Sequence, residues 1–235
     1  LSTLYDGMKM GEIWGYETFG ILQEEYFTID EIGKYVLIGP DQSKVHKTLY
    51  PGDIRYADLN DDGEISNGDN TLENPGDRRI IGNSTPRFQY GITGNISWKN
   101  LDLNIFFQGI GKKDVWISDN VFWGGDTAGN WEMYNNSWTP ERTDAKYPMY
   151  AGRISSTTQS GYLFNAAYLR LKTLALGYTL PKAWVNKAKL SNVRLSISGY
   201  NLFEITQIPD LYDPDQISSA YPMMRSVAFG LQVGF

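Results

Sequence analysis

The sequence contains no cysteine, so neither a disulfide framework nor a thiolate metal site is available to it. It has one histidine, His46, which argues against a His-based zinc site or a His-centred triad and reads as an ordinary surface residue. An excess of positive charge is also missing. Lys and Arg number 21 against 27 Asp and Glu, a net charge of −6, which excludes nucleic acid as an expected partner. No run of 18 apolar residues occurs, so no transmembrane helix is expected. That leaves a membrane β-barrel open, because a barrel hides its lipid face in alternating residues. Nothing in the carboxylate spacing marks a glycosidase pair, and "GIGKK" (Gly109–Lys113) lacks the P-loop spacing and its final Ser/Thr. Neither an enzyme nor an organic cofactor is expected. The chain starts at Leu1 without an initiator Met or a signal peptide, as expected of a piece of a longer protein. Aromatics make up 14% of the residues, with 16 Tyr and 7 Trp, and there are 24 Gly. This composition suits β-structure and sugar or peptide surfaces.

Strand periodicity is clearest from Arg225 to Phe235. Val227, Phe229, Leu231, Val233 and Phe235 share one parity, and Ser226, Ala228, Gly230, Gln232 and Gly234 the other. In the same way Tyr90, Ile92, Ile96 and Trp98 oppose Gln89, Thr93, Asn95 and Ser97. Beyond Lys99-Asn100, Leu101, Leu103, Ile105 and Phe107 oppose Asp102, Asn104, Phe106 and Gln108, which predicts a hairpin over 88–110. Val193, Leu195 and Ile197 alternate with Arg194, Ser196 and Ser198. Residues 168–180 are extended with a parity switch near Thr173, read as a bulge or as the edge of an apolar band.

A soluble β-sandwich also alternates, but its strands usually run about 5–6 residues. These runs are about 10–11 residues, the length that crosses a bilayer at a tilt. The connections are unequal: Lys99-Asn100 and Pro181–Leu190 are short, whereas 111–167 and 201–224 are long, polar and aromatic. If 225–235 runs toward the periplasm, every short connection falls on that side and every long one outside, as in outer-membrane barrels. The expected layout is therefore a surface loop over 39–87, a hairpin over 88–110, a long surface loop over 111–167, a hairpin over 168–200 and a terminal strand over 225–235. Five such strands, with one or two more in 9–38, cannot close a membrane barrel, which takes at least about 8. The rest of the barrel is an expected partner.

Six blocks then resemble one family in its order: "GEIWGYETFGILQ" (Gly11–Gln23), "PGDIRYADLNDDGEISNGDN" (Pro51–Asn70), "IGNSTPRFQYGITGNISWKNLDLNIFFQG" (Ile81–Gly109), "WTPERTDAKYP" (Trp138–Pro148), "AAYLRLKTLALGYTLP" (Ala166–Pro181) and "SGYNLFEIT" (Ser198–Thr206). Together they look like the closing third of SusC/RagA-type TonB-dependent outer-membrane transporters. The resemblance implies an all-β fold, the C-terminal strands of a 22-stranded transmembrane barrel in a Gram-negative outer membrane. It also implies a SusD-like lipoprotein lid and TonB-driven import of glycan or peptide fragments. The family's signal peptide, TonB box and plug are absent from these residues, so contact with the TonB system is expected through an N-terminal part. Gly230, Val233 and Phe235 are similar to the terminal signal read by the barrel-assembly machinery, with Ala228 where that pattern usually has a polar residue, and Phe235 is expected to be a true C-terminus. The alternative class is a soluble calcium-stabilised β-sandwich that binds carbohydrate, and a third is a secreted hydrolase.

Two surface features carry candidate chemistry. In "DLNDDGEISNGD", Asp58, Asn60 and Asp62 occupy positions 1, 3 and 5 of a calcium-type loop and Gly63 the sharp turn. Glu64 would offer its carbonyl, Ser66 a hydroxyl or water contact, and Asp69 the position-twelve carboxylate. A structural Ca2+ is the expected ligand, with a solvated Asp/Asn/Gly turn as the alternative. In the loop over 111–167, Trp123, Trp131, Tyr134 and Trp138, with Trp116, are candidates to stack on substrate or pack against the lid. The bland alternative for each is packing within the loop itself.

Overall fold

The structure, a computed structural model, describes residues 1, 4–123, 131–150, 157–217 and 221–235. Parts of the two long connections, 124–130, 151–156 and 218–220, lie outside the described residues. In chain order the strands are β1 (Glu12–Tyr16), β2 (Thr18–Ile21), β3 (Phe27–Ile29), β4 (Tyr35–Leu37), β5 (Ile54–Tyr56), β6 (Arg78–Asn83), β7 (Arg87–Trp98), β8 (Leu101–Lys112), β9 (Asp114–Trp116), β10 (Leu163–Asn165), β11 (Tyr168–Thr179), β12 (Asn192–Thr206) and β13 (Ser226–Gly234). Among the described residues three short α-helices join them: α1 (Asn120–Trp123), α2 (Trp131–Asn136) and α3 (Lys182–Val185). The chain divides into two units, one of residues 1–85 and 115–164 and the other of residues 86–114 and 165–235.

The second unit is one antiparallel sheet in the order β13-β12-β11-β8-β7. Its register aligns the alternating patterns. Phe229 pairs with Ile197, Ile197 with Leu176, Leu176 with Leu103 and Leu103 with Ile96, an unbroken apolar row across all five strands. A parallel row runs Leu231, Leu195, Tyr178, Leu101, Trp98. Most of these side chains are exposed, Phe229 80%, Leu231 67%, Ile96 59% and Trp98 62% on the outer strands, while Leu101, Leu103 and Tyr178 in the middle of the sheet are half-buried. A sandwich would bury this face under a second sheet, whereas a lipid-facing wall leaves it open. Trp98, Trp184 and Phe235 are all exposed near the strand ends that carry the short connections, where a membrane wall places its aromatic girdle.

On the opposite face the rows read Gly230, Ser196, Gly177, Asp102, Ser97 and Ala228, Ser198, Ala175, Asn104, Asn95. Asn104 donates to Asn95 at 2.5 Å. Arg194 forms two charge-assisted bonds to the Asp102 carboxylate, both 2.6 Å, reaching from β12 to β8 across β11. The pair passes over Gly177, where a Cβ would lie 2.2 Å from Arg194 Nη2. Only glycine leaves room for it.

The parity switch near Thr173 is a bulge. The register of β11 shifts between Leu171 and Thr173 against both neighbours. On β12 two residues, Asn201 and Leu202, stand opposite Lys172, and Asn201 takes φ +51, the left-handed conformation a bulge needs and Asn tolerates. Outward residues are therefore Leu169 and Leu171 before the bulge and Leu174, Leu176 and Tyr178 after it. The hairpin expected over 168–200 also runs longer, since β12 continues to Thr206. A single extended apolar–polar alternation after a kink was not visible as one strand.

The first unit is folded with its own core, although most of it reads as loop in the sequence. The residues before position 38 form β1 to β4, each only three to five residues long, and none joins the five-stranded sheet. Six strands of this unit pair two by two, β1 with β6, β2 with β5 and β3 with β4. Its core is aromatic. Phe122 meets Trp123, Tyr147 and Phe164 edge-on at 5.0, 5.9 and 5.4 Å between ring centroids, a geometry that adds to burial. The buried Gln42 substitutes for a strand, donating to Ile54 O and accepting from Tyr56 N–H.

Candidate functional site

The acidic loop begins where β5 ends. Asp58 Oδ2 accepts the N–H of Gly63 at 2.8 Å, Asn60 Oδ1 that of Asp62 at 3.2 Å, and Asp62 Oδ1 that of Glu64 at 2.8 Å. Three side chains thus cap a tight reversal at Gly63, whose φ is +81, as Asp and Asn do in turns. Ser66 Oγ accepts from Gly68 N–H at 3.2 Å, and Asp69 Oδ2 accepts from Asn74 Nδ2 at 2.8 Å. Asn60, Asp62, Glu64, Ser66 and Asp69 line one recess of about 370 Å³ with Lys44 and Asn74. Asp58 is outside that lining. Its second oxygen, Oδ1, is buried without a hydrogen-bond partner. The ammonium of Lys44 pairs with Glu64. This pairing holds the Lys44 pKa above its ordinary range, through hydrogen bonding and charge.

Oxygen donors are what calcium takes, and carbonyls, amides and hydroxyls serve as well as carboxylates. The donor set fits such an ion in kind. Among the described residues, however, no three Asp, Glu or His groups are gathered as a metal cluster. The loop is closed by a residue that the sequence motif omitted. Asp77 is fully buried, and its carboxylate accepts the N–H of Leu59 at 2.8 Å and of Ser66 at 2.7 Å. One side chain therefore ties both ends of the loop, from "PGDRR", eight residues past its twelfth position. A buried carboxylate costs several kcal/mol unless hydrogen-bonded, so its presence marks a fixed scaffold.

The four aromatic candidates separate into two pairs. Trp123 and Trp138 are each 3% exposed. Trp123 Nε1 donates to Ile117 O at 2.6 Å and its ring packs on Trp116 and Tyr162. Trp138 Nε1 donates to Gln23 Oε1 at 2.8 Å. Their faces and donors are already used inside the first unit, so packing rather than stacking on a ligand accounts for them. Trp131 and Tyr134 remain 77% and 58% exposed on α2, edge-to-face at 5.7 Å, with Tyr150 5.9 Å beyond. The other side of α2 is pinned. Met133 is buried, and Glu132 accepts from Lys146 Nζ and Tyr147 Oη at 2.9 Å. The Lys146 hydrogen bond holds the Glu132 carboxyl below the usual range. An exposed aromatic pair on a fixed helix can bind with little loss of side-chain entropy.

Gly230 pairs with Ser196 and Val233 with Val193 on β13, and Phe235 lies past the strand end, 96% exposed.

No family model matches the chain. TonB-dependent receptor P3 of Formosa agariphila is 32% identical over 247 residues, covering 99% of this chain and 23% of that protein. TonB-dependent receptor P26 of the same organism is 26% identical, covering 83% and 21%. The chain thus spans about a quarter of the length of the curated relatives it matches. Among solved structures, the RagAB peptide transporter aligns over 95% of this chain and 22% of its own, with a TM-score of 0.62 and 22% identity. The RagAB peptide importer in its closed-closed state aligns with a TM-score of 0.58 at 21% identity.

Proposed function

Because the chain is a portion of a SusC/RagA-like TonB-dependent receptor of the Gram-negative outer membrane, we propose that it builds part of the wall and part of the surface face of a nutrient importer. The observation that carries this reading is the five-strand apolar row from Phe229 to Ile96, exposed on one face and backed by a polar one. Sheet edges cannot stay open in lipid, and β7 and β13 are each paired on one side only. The remaining wall therefore comes from the rest of a full-length parent, which would also bring the plug and the contact with TonB. The imported class is glycan or peptide fragments, passed under a SusD-like surface lipoprotein. The exposed Trp131–Tyr134 pair is a contact for that substrate or lid. Transport, not covalent chemistry, is the role. The test is growth of cells lacking the full-length parent on defined peptide or glycan mixtures as sole nutrient. Loss of growth on one mixture, restored by the intact gene, is expected; equal growth of deleted and intact cells on every mixture would overturn the proposal.

We also propose a structural Ca2+ in the 58–69 loop, supported by the unpartnered Asp58 Oδ1 and the oxygen-lined recess. It would brace the loop, with Asp58, Asn60, Asp62, the Glu64 carbonyl, Ser66 and Asp69 as the donor set.

A further inference from the structure

The last long connection, after β12, comes back to the sheet in its described part. Its segment 208–217 returns to the polar face, with Ile208 5% exposed and Pro214 among the most deeply buried side chains. Asp213 and Asp215 flank that proline and meet a cationic group built by the β11 bulge. Arg170, with no exposed side-chain surface, contacts Asp213 at 2.8 Å, Asp215 at 3.1 Å and Glu204 at 3.5 Å. Lys172, the bulged residue itself, reaches Asp215 at 2.8 Å, and the Tyr168 hydroxyl donates to the same carboxylate. The other end of the connection is tied as well: Met223 N–H donates to Asp213 Oδ2 at 2.9 Å and Asn201 Nδ2 to Met224 O at 3.1 Å.

A guanidinium without solvent is stable only while its counter-charges stay in place, because removing one partner leaves an uncompensated buried charge. Surface connections are ordinarily the least protected parts of a fold; this one supplies two of the counter-charges of a guanidinium that has no exposed surface. Asp215 also lines a recess of about 440 Å³ with Gln89, Gly91, Gln108 and Tyr168, so the returning segment contributes a carboxylate to the space over β7 and β8.

We propose that residues 208–217 are a strap latched to the polar face by the Arg170–Lys172/Asp213–Asp215 cluster, and that the strap narrows the passage on that side. The narrowing rests on the importer reading above; the latch does not.

The test uses the full-length parent receptor in whole cells, in a background stripped of other thiols. Ile208→Cys places a reporter on the buried side of the strap, and Leu211→Cys, 51% exposed in the same segment, is the open control. Maleimide labelling of the Ile208 reporter is expected to be about tenfold slower than the control. Adding Asp213→Asn and Asp215→Asn is expected to bring the two rates together. Heat-modifiable gel mobility confirms that each variant still forms a barrel, and a variant that does not is replaced by Lys172→Met. Equal labelling of both reporters in the unaltered strap, or continued protection after the charges are removed, overturns the latch. A separate arm measures entry of a bulky polar antibiotic that the outer membrane normally excludes. Faster labelling with unchanged antibiotic entry overturns the narrowing while leaving the latch standing.

Discussion

Replacing Phe229 by Arg tests which face of the sheet meets lipid. Phe88 and Trp98 bound the outward row of β7, and ten residues at about 3.4 Å, tilted about 40°, span about 26 Å along the membrane normal. That matches the roughly 25 Å apolar band of an outer-membrane barrel. On β13, Phe229 lies six residues before the terminal Phe235, about 16 Å above it by the same arithmetic, close to the middle of the band. An Arg there should cost about 2–4 kcal/mol. The control is the neighbour Ala228, paired with Ser198 on the polar face, at nearly the same depth. Ala228→Arg should cost no more than about 0.5 kcal/mol, as for an ordinary solvated site. The assay is the urea midpoint of the full-length receptor in lipid vesicles, comparing the two variants so that effects of depth and insertion cancel. Equal losses would refute the assignment of faces, and a larger loss for Ala228→Arg would reverse it.

Other outcomes follow from the same geometry. Gly177→Val should displace the Arg194–Asp102 pair and cost about 1–3 kcal/mol by overpacking, read as a lower melting temperature, whereas Gly94→Val, with nothing within 4 Å of its Cβ, should change little. Asp58→Ala should lower the melting temperature more in calcium than in chelator, where only its cap on Gly63 N–H is lost; identical shifts in both would leave only a solvated turn. Trp131→Ala should weaken uptake or lid association without changing stability, while Trp138→Ala should destabilise by about 3–5 kcal/mol, and the reverse pattern would contradict their burial. Burial opposes the charge on Asp213, but Arg170 and the N–H groups of Met223 and Asp215 outweigh it and hold the carboxyl below its ordinary 3.8. A depressed carboxylate stabilises above the ordinary value and is lost as pH falls through the folded one. Protection of the Ile208 reporter should therefore be flat from neutral pH down to the ordinary 3.8 and fail as pH falls below it.

The wall was legible because a membrane strand writes its two environments into alternate residues. Once the partners are known, Phe229, Ile197, Leu176, Leu103 and Ile96 fall into one row; parity alone places Phe229, Ile197, Leu103 and Ile96, while Leu176 needs the register. The irregularity showed only as a parity switch near Thr173, open between a bulge and the edge of an apolar band, and the register settles it: one extra residue at Lys172 flips every later side chain of β11. The first unit was not legible. Its strands are three to six residues long, too short for a period to emerge, and its core joins segments more than a hundred residues apart, such as Gln23 with Trp138. Composition there shows aromatics without showing whether they face inward.

The acidic loop and the strap show the same limit from the side of charge. The motif picked out Asp58, Asn60 and Asp62 because local spacing determines which groups can cap one turn. It passed over Asp77, whose role depends on two N–H groups, of Leu59 and Ser66, being brought to one point. Asp213 and Asp215 likewise read as loop residues beside a proline. Only the bulge at Lys172, and the absence of solvent around Arg170, turns them into anchors. A carboxylate's part is thus set by what reaches it rather than by its neighbours in sequence. Single substitutions separate these cases. Asp77→Asn keeps one acceptor oxygen and should loosen the loop in calcium and chelator alike, unlike Asp58→Ala. If Asp77→Asn instead acts only when calcium is present, Asp77 belongs with the ion-binding oxygens and not with the scaffold.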